Sequence, residues 1–218
     1  MRIMFAKRFL KVRKYVRRKI YEKRVYISAD YSENSGDRDI VNILNKWGND
    51  DLHKVNFIDT AKVASGSVSN NRDCRICDLK KEFNKQINAS SVVIFIIGDK
   101  TASRTAGSQC LRMENEFYCT PYKENSNGRK RCKYESVAYS NSNEDIGYIN
   151  SYSYLEHEFK QSIRKNKKII IIYNSMRRET NWLPDYMKKY ESIATPFYIN
   201  REGIKYENYP FIKKELEY

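Results

Sequence analysis

The sequence predicts an α/β fold: a doubly wound parallel sheet of about five strands, with helices on both faces. Three observations carry this. Strand-like segments alternate with segments of helical periodicity along most of the chain. Ser91–Ile97 (SVVIFII) and Lys168–Tyr173 (KIIIIY) are continuous apolar runs, the pattern of strands buried on both faces of a parallel sheet. The chain has 218 residues, 40% of them apolar, enough for one sizeable core with appendages.

The elements follow in order. Phe5, Phe9, Val12, Val16 and Ile20 form one helical stripe with Lys and Arg on the other faces, a basic amphipathic helix over 1–22. Arg24–Ala29 (RVYISA) alternates around Val25, Ile27 and Ala29 and reads as the first strand. Asp37–Trp47 is a helix through Ile40, Val41, Leu44 and Trp47, with Asp37 as its expected cap. Lys54–Ile58 is the second strand, and 60–71 is a loop. Arg72–Ile87 is a helix through Ile76, Leu79, Phe83 and Ile87, followed by Ser91–Ile97 as the third strand. Residues 103–150, rich in Ser, Asn, Gly, Lys and Tyr, are too long for an ordinary connection and read as an insertion. Tyr154–Lys165 is a helix whose apolar face is Leu155, Phe159 and Ile163. Lys168–Tyr173 is the fourth strand, Leu183–Tyr190 a short helix, and Pro196–Asn200 the last strand. Residues 201–218 are an extension, with a terminal helix over 208–218.

Right-handed crossovers and this size favour the flavodoxin-like strand order 2-1-3-4-5. Ligands of such sheets bind outside the carboxyl ends of the strands, where the order reverses between strands one and three. Here those ends are Ser28–Glu33 and Gly98–Arg104.

The net charge of +14 is unevenly placed. Eleven Lys and Arg against Glu22 alone leave +10 on residues 1–24 and +4 on the rest. Any argument for nucleic acid or an anionic membrane surface therefore rests on that arm. The third option is that its apolar stripe packs on the body or on a partner subunit. No secretory h-region and no run of ~20 apolar residues is present, so a cytoplasmic protein is expected. The five cysteines, Cys74, Cys77, Cys110, Cys119 and Cys132, are expected as free thiols rather than a zinc site.

Familiar catalytic signatures are missing. There is no Gly-x-x-x-x-Gly-Lys-Ser/Thr, no Gly-x-Gly-x-x-Gly and no Gly-x-Ser-x-Gly. His53 and His157 are isolated in sequence. No metal site or bound cofactor is expected. What remains lies at the crevice. Ser28, Ala29, Asp30 and Tyr31 offer a hydroxyl, a carboxylate and an aromatic ring, or simply a polar turn. Gly98 permits close backbone approach and Arg104 suits phosphate, or the segment is a bare turn. Tyr154 and Glu158, four apart, share a helix face beside His157; by spacing alone Glu158 is a surface carboxylate paired with lysine.

Arg24–Tyr31 (RVYISADY), Asp37-Arg-Asp39, Val92–Gly98 followed by Thr101-Ala-Ser-Arg104, and Tyr154–Ile169 (YLEHEFKQSIRKNKKI) together resemble TIR-like domains. The likeness is nearest to the ThsB-type TIR sensors of bacterial Thoeris anti-phage defence. It spans roughly 23–200 around the 103–150 insertion. Tyr154 stands where the family usually has Trp, and Glu158 stands at its catalytic glutamate. The resemblance implies cleavage of NAD⁺ as substrate and an ADP-ribose-derived, cyclic signal nucleotide that activates a separate effector protein, with a phage component as trigger. It also implies a homo-oligomer whose site is completed through Asp59–Asn71. Ser28, Ala29 and Asp30 would line the nucleotide crevice, with Phe57 and Asp59 at the end of strand two and Tyr154 against the substrate. Two other functions remain open: a non-catalytic assembly or nucleotide-binding module, and a membrane or nucleic-acid binder acting through 1–24.

Overall fold

The computed structural model describes residues 23–29, 36–49, 55–59, 75–104, 123–124, 130–131 and 153–217. The basic helix expected over 1–22, the loop after strand two and most of the 103–150 insertion lie outside them.

In chain order the elements are β1 (Lys23–Ser28), α1 (Asp37–Gly48), β2 (Val55–Asp59), α2 (Arg75–Ala89), β3 (Val92–Ile97), the two-residue strands β4 (Lys123–Glu124) and β5 (Lys130–Arg131), α3 (Tyr154–Arg164), β6 (Lys168–Tyr173), β7 (Thr195–Pro196), β8 (Tyr198–Arg201), β9 (Ile204–Glu207) and α4 (Tyr209–Leu216). Five strands form one parallel sheet in the order β2-β1-β3-β6-β7. Counting only these strands along the chain, that is 2-1-3-4-5. The chain is thus a doubly wound α/β fold, and the order reverses at β1 and β3 as expected.

Period-2 alternation divides the core between two faces. Val25 and Ile27 of β1, Val92, Ile94 and Ile96 of β3, and Ile170 and Ile172 of β6 pack with Ile40, Val41 and Leu44 of α1 and with Ile212 and Leu216 of α4. Tyr26, Val93, Phe95, Ile97, Ile171 and Tyr173 pack on the other side with Leu79, Phe83 and Ile87 of α2 and Leu155 and Phe159 of α3. Each buried side chain of this size contributes about 1.5–3 kcal/mol. Both faces of β3 and β6 need covering, hence their unbroken apolar sequences. α4 closes the first face, and the Lys23 ammonium donates to the Leu216 carbonyl at 2.6 Å, tying its end to β1.

Four sequence expectations change. The last strand, expected over Pro196–Asn200, is divided. Thr195–Pro196 joins the sheet, whereas Tyr198–Arg201 turns away to pair antiparallel with Ile204–Glu207. The fully buried Phe197 makes the junction, its N–H donating to Tyr173 and its carbonyl accepting from Asn208. The helix expected over Leu183–Tyr190 is instead 3₁₀, in two pieces, Thr180–Trp182 and Asp185–Ile193. Pro184 lacks an N–H and holds Leu183 extended, so no α-helix runs through them. Asp37 does not cap α1; Gly36 is the N-cap at φ 71° with no side-chain cap bond, and Asp37 is the first helical residue. Finally, Ile163 is 39% exposed rather than part of the buried face of α3.

Gly48 ends α1 where it meets β2. A Cβ there would lie 2.5 Å from Phe57 Cδ2 and 2.6 Å from the Val55 carbonyl oxygen. Gly48→Ala is therefore expected to lower stability by about 1–3 kcal/mol through overpacking. A urea midpoint equal to that of the parent chain would contradict this close approach.

Among the described residues, no helix is long and apolar enough to cross a membrane.

Candidate functional site

Glu158 lies on the second turn of α3, which turns it onto the sheet, and the residue is 1% exposed. Helical geometry explains this. At about 100° per residue, Leu155, Glu158, Phe159 and Ser162 fall on one side of α3. His157 and Gln161 widen that buried arc and meet Asn84 and Asn88 of α2, while Ile163 falls beyond its other edge. Glu158 sits near the centre of the arc, not on a lysine-facing surface. Ser153 fixes the start of the helix by accepting from the Glu156 N–H at 2.9 Å.

The carboxylate meets the carboxyl end of β1. The Tyr26 hydroxyl donates to Oε1 at 2.6 Å, and the Ser28 hydroxyl donates to Oε2. Residues 26 and 28 are two apart on one strand and so share a face. Tyr26 and Ser28 are both fully buried. A buried carboxylate without partners is costly, whereas one accepting a hydroxyl at each oxygen is satisfied.

Beside it runs a polar seam between α2 and α3. His157 Nε2 approaches Asn84 Oδ1 at 2.8 Å and the Lys80 carbonyl at 3.3 Å. Both partners accept, so Nε2 carries the ring proton. Four residues further along each helix, Gln161 donates to Asn88 Oδ1 at 2.8 Å. The shared step is that of two parallel helices in register. Burial first, and then the positive charge of Lys80, holds His157 well below the usual histidine range; the bond to the Lys80 carbonyl opposes this, and Arg164 and Lys160 add to it. Lys80 is itself fully buried, its ammonium 6.0 Å from the centre of the Tyr154 ring.

The other expected site residues fall in different places. Tyr154 is half-buried and turns towards α2, its ring edge-on to Phe83 at 5.7 Å. Ala29 and Phe57 belong to the core on the α1 face, opposite Glu158. Asp59 is buried on that face too, accepting from Asn45 Nδ2 at 3.3 Å. Gly98 faces Asp37, to which a Cβ at 98 would come within 2.9 Å. Asp37 in turn accepts from Asn174 Nδ2 at 2.9 Å, joining the ends of β3 and β6 to the start of α1. Arg104 is exposed just after the 3₁₀ turn Thr101–Ser103. Asp30 and Tyr31 lie outside the described residues. So do Cys74, Cys110, Cys119 and Cys132 and the side chain of Cys77. Among the described residues, no group of three or more His, Cys, Asp or Glu is arranged to hold a metal ion.

Of the expected set, Ser28 is brought against Glu158. Tyr26 was not singled out from sequence, although its place two residues before Ser28 is a usable signal. Lys80 and Asn84, one helical turn apart, carry a similar but fainter one.

Fold and site define a doubly wound α/β domain with a hydroxyl-bound carboxylate at the switch point of its sheet. No protein-family model matches the chain, and neither does any curated protein.

Proposed function

We propose that the chain is a cytoplasmic, flavodoxin-like TIR domain that cleaves NAD⁺ through Glu158 and releases an ADP-ribose-derived cyclic nucleotide as a signal in anti-phage defence. The observation that supports this most is Glu158 at the carboxyl end of β1, bound by Tyr26 and Ser28 beside the switch point. In this reaction the bond between ribose C1′ and the nicotinamide nitrogen breaks, its electron pair leaving with nicotinamide. Positive charge develops across C1′ and the ring oxygen, and a fixed carboxylate nearby stabilises it. A nucleophile within the ADP-ribose portion then closes the ring, or water captures C1′. Homo-oligomer formation through Asp59–Asn71 and activation of a separate effector belong to the same proposal.

A second reading, a non-catalytic assembly or nucleotide-binding module, is favoured by one specific observation. Glu158 is almost wholly buried, with a hydroxyl already on each oxygen. The two are separated by incubating the chain with NAD⁺, both purified and in extracts of phage-infected cells, and following nicotinamide and ADP-ribose products by mass spectrometry. Release of nicotinamide is expected. Intact NAD⁺ in extracts of cells that the chain protects would establish the second reading.

A further inference from the structure

We propose that Tyr26 and Ser28 form a two-hydroxyl cradle that fixes the Glu158 carboxylate in its ionised form, making Tyr26 a positioning residue for the chemistry of Glu158. The functional half of this inference rests on the reading of Glu158 as the reacting carboxylate. Its structural half does not.

Burial alone drives a carboxyl group towards its neutral form. A neutral carboxylic acid carries a proton on one oxygen, which then donates rather than accepts. Here a different hydroxyl lies against each oxygen, and both can donate at once only to the carboxylate, since a neutral acid needs one of them to turn and accept. The cradle is also rigid. β1 is flanked by β2 and β3 on its two edges, so its backbone is held by ladder bonds on both sides. Tyr26 is fully buried among the side chains of α2, α3, β3 and β6. From the helix side, the Ser162 hydroxyl donates to the main-chain carbonyl of Glu158 at 2.7 Å. A carboxylate held from both sides keeps its place to the fraction of an ångström that a developing charge demands. Among the described residues, ionisable groups on the same side of the sheet include Lys80 from α2, Tyr154 and His157 from α3, Tyr173 from β6, and Tyr186 and Tyr190 from the 3₁₀ segment that follows. Burial keeps His157 neutral, and burial likewise favours the neutral phenol of Tyr173, so neither competes with the cradle for the proton.

Two variants test this, Tyr26→Phe, which keeps the ring and removes one hydroxyl, and Ser28→Ala, which removes the other. The ionisation of Glu158 is read by carboxyl infrared or carbon NMR, assigned by difference against Glu158→Gln, with circular dichroism as the fold control. Each variant is expected to raise the Glu158 midpoint by about one pH unit, the loss of one hydrogen bond to the charged form. With NAD⁺, kcat should fall about tenfold with KM little changed, and the acid limb of the rate profile should move up with the carboxyl midpoint. An unmoved midpoint in both folded variants overturns the cradle. If the parent chain leaves NAD⁺ intact while the midpoint moves, the cradle stands and the proposed function falls. If NAD⁺ is cleaved and neither midpoint nor kcat responds, the function stands and the cradle falls.

Discussion

Glu158→Gln is expected to reduce NAD⁺ cleavage by about 10³-fold or more while leaving the fold intact, the largest effect of any single substitution on activity. The magnitude follows from what is lost. Removing one preorganised electrostatic partner of a developing charge typically costs about 10²–10³-fold, and here the partner bears a full negative charge in a water-poor setting. Glutamine retains the volume, so α3 still packs on β1. Its carbonyl oxygen accepts from one hydroxyl, and its amide donates to the other once that hydroxyl rotates. The variant should therefore unfold within about 1 kcal/mol of the parent chain. Nicotinamide release, with the thermal midpoint measured in parallel, checks both halves. Full cleavage by the glutamine variant would remove Glu158 from the mechanism.

The burial of that residue shows where sequence reading succeeds and stops. Sheet order and the extents of the central strands were legible because buried parallel strands leave a dense signal. Lys168–Tyr173 is apolar at nearly every position because both faces are covered. The buried face of α3 was legible only in part. Apolar spacing finds Leu155 and Phe159, but four of this helix's six buried residues are polar: Glu158 and Ser162 on the sheet side, and His157 and Gln161 where α3 meets Asn84 and Asn88 of α2. A polar side chain satisfied by another polar side chain far along the chain carries no periodic mark. Ile163, apolar and at a permissible spacing, was misplaced for the converse reason. The β8–β9 hairpin was missed because its strands are short and largely exposed, and the boundary is set by Phe197 rather than by a turn residue before it. The split of the expected site across two faces follows from strand alternation. Tyr26 and Ser28 face α3, while Ala29, like Phe57 on β2, faces α1.

Acid should destabilise the protein from about pH 6.5 downwards, earlier than carboxylate protonation alone would bring about. His157 is the cause. In the fold it is neutral, buried and donating through Nε2, and its affinity for a second proton is held well below the usual range. In the unfolded chain it takes up that proton near pH 6.5. Below that pH the unfolded state binds more protons than the folded one, so stability falls as pH falls. The slope reaches about 1.4 kcal/mol per pH unit and persists until the folded-state value is reached; above pH 6.5 the contribution is complete and constant. Between about pH 5 and 6.5 few carboxylates titrate, which isolates the histidine. His157→Gln replaces the ring with an amide that donates to Asn84 and cannot be charged. Its unfolding free energy, from urea titrations at several pH values, should be lower than that of the parent chain at pH 7.5 yet nearly flat across the window. The chain's other histidine supplies the control, since His53→Gln should leave the slope attributed to His157 in place. Equal slopes in the parent chain and His157→Gln would mean that the buried ring is not what acid attacks. The seam between α2 and α3 would then have to tolerate a charged imidazole beside Lys80, which its burial and that neighbouring charge both oppose.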